Sequence, residues 1–306
     1  VYTAFGGPEV LQLVDVPDPS PSEGELAVRV EVAGVNPIDW KLRSGLRPSA
    51  AISEPRRVGS DASGVVTAVG AGVDGYSVAD PVVLHGVSGA YATDVVVPAT
   101  RAWIRPPRVT AIEGAALGIP IGTAYQTARS LGVGAGDTLL VHGGSGAVGQ
   151  AIIQYAVLWG ATVLATASPA RFDRVRALGA LPIAYGPGLA ERVREIADVT
   201  VAIDAAGTDE ALQTSVELVD DKARIATLVR GRDAAGYGIR AFSGGSPEPL
   251  TPQQNAWRTE AIPVTLALLA AGFFSIEPGP VFPLAEAAEA HRVGQAGARG
   301  KIVLLP

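Results

Sequence analysis

Residues 139–160, LLVHGGSGAVGQAIIQYAVLWG, join an apolar strand, a glycine-rich turn and an amphipathic helix without a break. Gly144, Gly146 and Gly149 fill the G-x-G-x-x-G spacing. Glycines there permit a tight turn, close approach of backbone to a pyrophosphate, and close packing of helix on strand. Ser145, Ala147 and Val148 complete the turn, so all six residues are expected to contact a dinucleotide. Val148, Ala151, Ile152, Tyr155, Ala156 and Trp159 then recur at helical spacing. That periodicity aims the unpaired amides of a helix N-terminus back at the turn as an anion site. The context matters because 37 glycines make a chance triplet easy.

The next strand selects the nucleotide. ATVLATA at 161–167 reads as the second parallel strand, and its end lies about twenty residues past the glycines, where an NAD enzyme places an acid on the ribose diol. No acid stands there. The chain offers Ser168 and Arg171, with Arg174 one turn later, a hydroxyl and cationic forks suited to a 2′-phosphate. The expected cofactor is NADPH. The competing reading has both arginines merely solvating the following helix.

At 306 residues the chain exceeds one comfortable core and predicts roughly two domains. A formal charge of -6 and the lack of any Lys/Arg block argue against nucleic acid or an anionic membrane as partner. No run of about eighteen apolar residues and no signal-peptide pattern is present, so a cytoplasmic protein is expected. With no cysteine, disulfides, thiolate catalysis and Cys-based zinc sites are excluded within this sequence. A start at Val1 with no methionine anywhere leads us to expect a trimmed terminus or modified residues left out of the sequence.

Up to about residue 105 the chain reads as all-β and barrel-like. Segments 25–32, 62–69 and 91–97 are rich in β-branched residues and punctuated by Gly, Pro and Asp. From about 111 helices (111–117, 123–131, 169–178, 189–197) alternate with strands (181–184, 199–203, 224–228), the pattern of a doubly wound parallel sheet. A Gly-, Ser- and Pro-rich stretch at 232–254 reads as a hinge, with an edge or a lid at 235–246. Helices at 259–271 and 284–292 and a strand at 300–305 are too few for a domain and must pack on something earlier. The expected organisation is a β-rich unit at 1–118, a nucleotide-binding unit at 119–254 and a C-terminal segment at 255–306.

AGVNPIDWKLRSG at 33–45, DASGVV at 61–66, GTAYQTA at 122–128, VHGGSGAVG at 141–149 and GKIVLLP at 300–306 stand in the order of the medium-chain dehydrogenase/reductase superfamily. The chain most resembles its zinc-free, zeta-crystallin-like quinone oxidoreductase branch. The resemblance implies a GroES-like barrel completed by the C-terminal segment, a Rossmann domain, an active site in the cleft, and a homodimer through the Rossmann sheet. Zinc members carry Cys at the position of Asn36 and a His-Glu pair at Ser60 and Asp61. Neither Asn nor Ser is a useful zinc ligand, and His85, His142 and His291 lack metal spacing, so no metal is expected. His142 reads as a packing residue.

The resemblance also places Asn36 by the nicotinamide and sets Asp39, Trp40 and Arg43 along or behind the pocket, with Asn36, Asp39 and Trp40 the expected catalytic set. Trp40 would stack on a flat substrate or simply pack under the barrel wall; Asp39 would act in the site or only cap the short helix after Pro37. Thr123, Tyr185, Ala205 within 204–207, Leu228, Val229 and Lys301 are implied cofactor contacts. For Tyr185 and Lys301 the alternatives are surface packing and strand solvation. Tyrosines that relatives carry shortly after the NP motif are absent, since no Tyr occurs between Gly45 and Tyr76. The proton donor is therefore open, with water a candidate. The expected activity is zinc-independent, NADPH-dependent hydride transfer to a quinone or an α,β-unsaturated carbonyl. Alternatives are an enoyl-thioester reductase, with Arg43, Arg47, Arg56 and Arg57 as the local basic candidates, and a non-catalytic NADPH-sensing protein.

Overall fold

A computed structural model describes residues 1–47, 49–242 and 248–306. The chain opens with β1 (Glu25–Gly34), α1 (Pro37–Arg43), β2 (Asp61–Val69), β3 (Pro81–His85), β4 (Asp94–Pro98), β5 (Ala102–Ile104) and α2 (Ala111–Ala115). Helix α3 (Gly118–Ser130) leads into β6 (Thr138–His142), α4 (Ala147–Leu158), β7 (Thr162–Ala167), α5 (Phe172–Ala177), β8 (Leu181–Ala184), α6 (Leu189–Arg194), β9 (Val201–Asp204), α7 (Asp209–Leu218), β10 (Ile225–Thr227), α8 (Ala234–Tyr237) and β11 (Arg240–Ala241). After α9 (Pro252–Ala271) come β12 (Pro278–Pro283), α10 (Ala287–Gln295) and β13 (Lys301–Leu305). The residues divide into two compact units, Val1–Ile119 with Ile262–Pro306, and Pro120–Ala261.

The first unit is a seven-stranded sheet in the order β12-β13-β1-β2-β3-β5, with β4 also on β1. Strand β1 is its axis. One edge of β1 pairs with β2 along its length, while the other is shared between β4 at Glu25–Arg29 and β13 at Ala33 and Gly34. Two register shifts between β1 and β2 bend the pair, as bulges do. Leu26, Val28, Val30, Val66, Val82, Leu84, Val95 and Leu304 fill the core inside it. The C-terminal strand thus completes a sheet begun by residue 25, and the last residues do pack on something earlier.

The second unit is a six-stranded sheet, every registered pair parallel, in the order β11-β10-β9-β6-β7-β8. Chain direction across the sheet reverses where β6 lies beside β9. Ligands of open parallel sheets bind beyond the carboxyl ends of the strands at such a point. Leu140, Leu164, Ile183, Val193, Ala202, Leu212 and Ile225 form one buried cluster. Tyr155 stacks on Trp159, with Tyr125 edge-on to both.

Several expectations shift. Helix α3 starts at Gly118 rather than 123, because Pro120 falls in the first turn, where its missing N–H costs nothing. Strands β3, β5 and β12 were not expected. They are short, and β12, PGPVFP, carries prolines that only an edge position tolerates. The stretch expected to be a hinge contains α8 and the edge strand β11. Residues 243–247 of the expected edge or lid lie outside the described residues. Among the described residues no helix is long and apolar enough to cross a membrane.

Candidate active site

In the second unit the turn between β6 and α4 is built by exclusion of side chains. A Cβ on Gly144 would sit 2.6 Å from Ala165 Cβ on β7, and one on Gly149 would sit 2.2 Å from the Gly143 carbonyl oxygen. Those two glycines let helix, turn and strand touch. The left-handed residue of the turn is Gly143, at φ 77°, which lies outside the G-x-G-x-x-G triplet; that is a correction to the division of labour among the glycines. Gly146 differs from its neighbours. Its Cβ would meet only the Gly143 oxygen, at 3.5 Å, an ordinary contact, so no packing within this unit requires glycine there. Gly146 is the N-cap of the 12-residue α4 and no side chain caps the helix. Gly146 and Ala147 are exposed, Ser145 and Val148 partly so. An exposed, uncapped helix start beside a side-chain-free concavity suits a diphosphate.

Two side chains beyond β7 reach back to this turn. Arg174 Nε donates to Gln150 Oε1 at 2.8 Å, and Gln150 Nε2 donates to the Ser145 carbonyl at 2.8 Å. Arg171 Nη2 lies 3.5 Å from the same carbonyl. Arg171 therefore leans on the glycine turn directly, and Arg174 only through Gln150 of α4. Ser168 stands at the N-cap of the 3-10 turn 169–171, partly buried.

Across the switch point, Asp204 at the end of β9 is fully buried. Its Oδ1 accepts from the amides of Ala206 at 2.9 Å and Gly207 at 2.7 Å, and its Oδ2 accepts from Thr227 Oγ1 at 2.7 Å. Thr227 Oγ1 accepts in turn from the amides of Val229 and Arg230. One carboxylate and one hydroxyl so fix the loops after β9 and β10, and with them Ala205, Leu228 and Val229. Ala205 is also tied to β6, its amide donating to the His142 carbonyl at 3.0 Å. His142 is buried, and burial pushes its imidazole down to about 4. Thr123 is buried on α3. Tyr185 is 60 % exposed after β8, the edge strand farthest from β10 in this order.

The first unit holds a buried polar cluster. Helix α1 opens with a capping box: Asn36 is the N-cap and Asp39 Oδ2 accepts from the Asn36 amide at 2.8 Å. The amide side chain of Asn36 bridges opposite charges. Its Nδ2 donates to Asp61 Oδ2 at 2.7 Å, and its Oδ1 accepts from Lys301 Nζ at 2.5 Å. Lys301 is 5 % exposed, which corrects the strand-solvation reading. Register explains the meeting: the Val35 amide donates to the Ile302 carbonyl, and His85 lies opposite Asp61 in the β2–β3 pair. His85 Nδ1 is 2.9 Å from Asp61 Oδ1, and the Ile119 amide donates to Asp61 Oδ2 at 2.9 Å. Burial pushes the Asp61 carboxyl up, but the His85 hydrogen bond, Lys301 and the Ile119 amide outweigh it and hold the group below its ordinary range. Burial depresses the Lys301 ammonium, with Asp61 and Asp39 opposing.

Asp39 sits less comfortably. Burial pushes its carboxyl up to about 7, against the Asn36 amide and the Tyr91 hydroxyl, which donates to Oδ2 at 3.0 Å. The Tyr91 oxygen is also 3.2 Å from His291 Nε2, while Arg43 Nε donates to His291 Nδ1 at 3.2 Å. Trp40 meets His291 edge-on at 5.9 Å between ring centroids, and a Cβ on Gly294 would come within 2.8 Å of its ring. Trp40 is therefore a wall between α1 and α10. Sequence reasoning took Asn36, Asp39 and Trp40 from one segment. It missed Asp61, His85, Tyr91 and His291 as members of the same cluster, because the β2–β3 register and helix α10 deliver them. The one local signal was an acid opening a strand, 61–66, with no other charged residue.

A seven-stranded GroES-like unit and a parallel Rossmann sheet define the medium-chain dehydrogenase/reductase class. Residues 22–107 match the family profile described as alcohol dehydrogenase GroES-like domain, and residues 147–235 that described as zinc-binding dehydrogenase. The latter residues lie wholly within the parallel-sheet unit. The quinone oxidoreductase of Sus scrofa is 30 % identical, the match covering 98 % of this chain and 95 % of that one. The quinone oxidoreductase structure from Coxiella burnetii superimposes with a TM-score of 0.86 at 29 % identity, covering 100 % of this chain and 98 % of the other. That of Escherichia coli, complexed with NADPH, gives 0.85 at 26 % over the same shares. The chain belongs to the zinc-independent quinone oxidoreductase family of that superfamily.

Proposed function

We propose that the protein is an NADPH-dependent, zinc-independent oxidoreductase that transfers hydride to a quinone or an α,β-unsaturated carbonyl. The observation that carries the reading is the turn at 143–149, where Gly146 is exposed and unneeded by packing within its unit while Arg171 and Ser168 stand where an NAD enzyme has an acid. Bound NADPH supplies the hydride from its nicotinamide. Gly144, Ser145, Gly146, Ala147, Val148 and Gly149 hold the diphosphate through backbone amides; Ser168 and Arg171 hold the 2′-phosphate. Thr123, Tyr185, Ala205, Leu228, Val229 and Lys301 contact the rest of the cofactor. On the catalytic side the fully buried Asn36 carries a second amide hydrogen beyond its bond to Asp61, the donor that would meet a carbonyl oxygen in this reading. Asp39 orients Asn36, and Trp40 braces the helix that carries both. The reading takes the protein as cytoplasmic, as the sequence pattern suggests, and as a homodimer, as the resemblance implies; sedimentation velocity of the purified chain tests the dimer.

Fluorescence titration with NADPH and NADH, then NADPH oxidation against quinones, enones and enoyl thioesters, tests the assignment. Tighter NADPH binding with turnover is expected. Preference for NADH removes the role of Ser168 and Arg171. Turnover of enoyl thioesters alone, or binding without turnover across all three acceptor classes, sinks the quinone and enone reading.

A further inference from the structure

The first unit buries two cations, Arg43 and Lys301, and two acids, Asp39 and Asp61, yet no ion pair joins Arg43 to a carboxylate among the described residues. Arg43 is fully buried and its guanidinium meets neutral acceptors: the Gly6 carbonyl at 2.7 Å, His291 Nδ1 at 3.2 Å and Gln295 Oε1 at 3.5 Å. These contacts fix every proton that follows. A guanidinium can only donate, so His291 Nδ1 must present its lone pair and the neutral ring carries its proton on Nε2. The Tyr91 oxygen accepts that proton, and the single Tyr91 hydrogen goes to Asp39 Oδ2. Oδ2 already accepts from the Asn36 amide. A proton taken up by Asp39 therefore lands on Oδ1.

We infer that Arg43, His291, Tyr91 and Asp39 form a one-way hydrogen-bond chain ending on Asp39. Asp39 is then a positioning residue: ionised, it holds the backbone amide of Asn36 firmly, and with it the arrangement set by Asp61 and Lys301; protonated, it holds that amide more weakly. With both acids ionised, Asp39 and Asp61 formally balance Arg43 and Lys301. Protonating Asp39 leaves one uncompensated cation and turns two charge-assisted hydrogen bonds into weaker neutral ones. The groups facing Asp39 are Arg43 from its own helix, Asp61 from β2, with His85 from β3 behind it, Tyr91 before β4, His291 from α10 and Lys301 from β13. The lift of the Asp39 carboxyl to about 7 puts the switch in the neutral range.

For activity the inference rests on the proposed reductase function, but the chain can be read without turnover. In the free protein, nitrogen-15 NMR should show His291 as the Nε2–H tautomer, uncharged from pH 5.5 to 9, since burial and Arg43 hold it down to about 4. With carbon-13-labelled aspartate, one carboxyl should titrate near pH 7, vanish in Asp39→Asn, and move to higher pH in Tyr91→Phe, which removes a donor to the ionised form. In the NADPH and quinone assay kcat should fall severalfold below the same pH, with little change in KM for NADPH. That inflection should disappear in Asp39→Asn and move upward in Tyr91→Phe. An Nδ1–H tautomer, no carboxyl titration near neutrality, or an inflection indifferent to Tyr91→Phe overturns the chain; the last result needs only the conservative variant, should Asp39→Asn fail to fold. The expected carboxyl and imidazole signatures in a protein that turns over no acceptor leave the chain standing and overturn the reductase reading.

Discussion

The glycine turn of the second unit and the polar cluster of the first are built by opposite means. The turn works by leaving side chains out: seven consecutive residues, 143–149, shape a backbone surface, and removal of a Cβ is the design element at Gly144 and Gly149. The cluster works by bringing side chains in, from α1, β2, β3, the approach to β4, α10 and β13, and satisfies buried charge with amide, phenol and imidazole bridges. A backbone site is local in sequence and tolerant of acidity. A side-chain site is dispersed and electrostatically taut.

The sharpest break of this contrast is Asp61→Ala. It strands the Lys301 ammonium and the Asn36 amide, and a broken buried charge pair costs about 3–5 kcal/mol; urea unfolding at pH 7.5 should show a loss of that size. Gly146→Asp tests the other side. Its Cβ has room, so the unfolding free energy should stay within about 0.5 kcal/mol of the parent's, while an anion at a phosphate site weakens NADPH binding on the order of 100-fold. Equal damage to folding and binding in both variants would erase the distinction.

Acid distinguishes the sites next. His142 and His291 have folded values lowered from 6.5 to about 4, so each contributes stability present above 6.5 and lost as pH falls toward 4, on the order of 3 kcal/mol apiece. Asp39 runs the other way. Its value is raised from 3.8 to about 7, so its contribution is full below 3.8 and lost as pH rises through 7, roughly 4 kcal/mol. The sum predicts a net loss of about 2–3 kcal/mol between pH 7 and 4. In Asp39→Asn that loss should steepen, because the opposing gain is gone; an unchanged pH slope of urea stability would rule this out. The smallest effect is Arg171→Ala, which should lower the preference for NADPH over NADH about tenfold and leave NADH affinity unchanged; an unaltered ratio of the two dissociation constants removes Arg171 from the 2′-phosphate site.

Legibility in the sequence follows the same division. The parallel sheet and its turn were readable because strand, glycines and helix are contiguous, and the absent acid after β7 needed only counting. Yet the positive φ fell on Gly143, one residue before the template, since the template records spacing and not the path of the chain. In the first unit the Asn36 and Asp39 capping box was visible as N-P-x-D. Asp61 beside His85 is a property of antiparallel register, and Lys301 beside Asn36 of a pairing between residues 265 positions apart. His291 reads as an isolated imidazole on an Ala-rich helix until Arg43 and Tyr91 are placed on either side. Neither periodicity nor spacing encodes those meetings.

The shared edge of β1 has a consequence for biosynthesis. Half of that edge is filled by β4 and the remainder by β13, which is translated only after the parallel-sheet unit. A ribosome delivers residues 120–261 before it delivers 301–305, so the continuous parallel-sheet unit can finish folding while the first sheet still waits with an open side. Asp39, Asp61 and Arg43 are made early, and the second cation, Lys301, only after the parallel-sheet unit. Arrival of residue 301 is then the event that neutralises the buried cluster, and a chain stopped before it would carry a folded parallel-sheet unit attached to an unclosed sheet in which Arg43 alone faces the two acids.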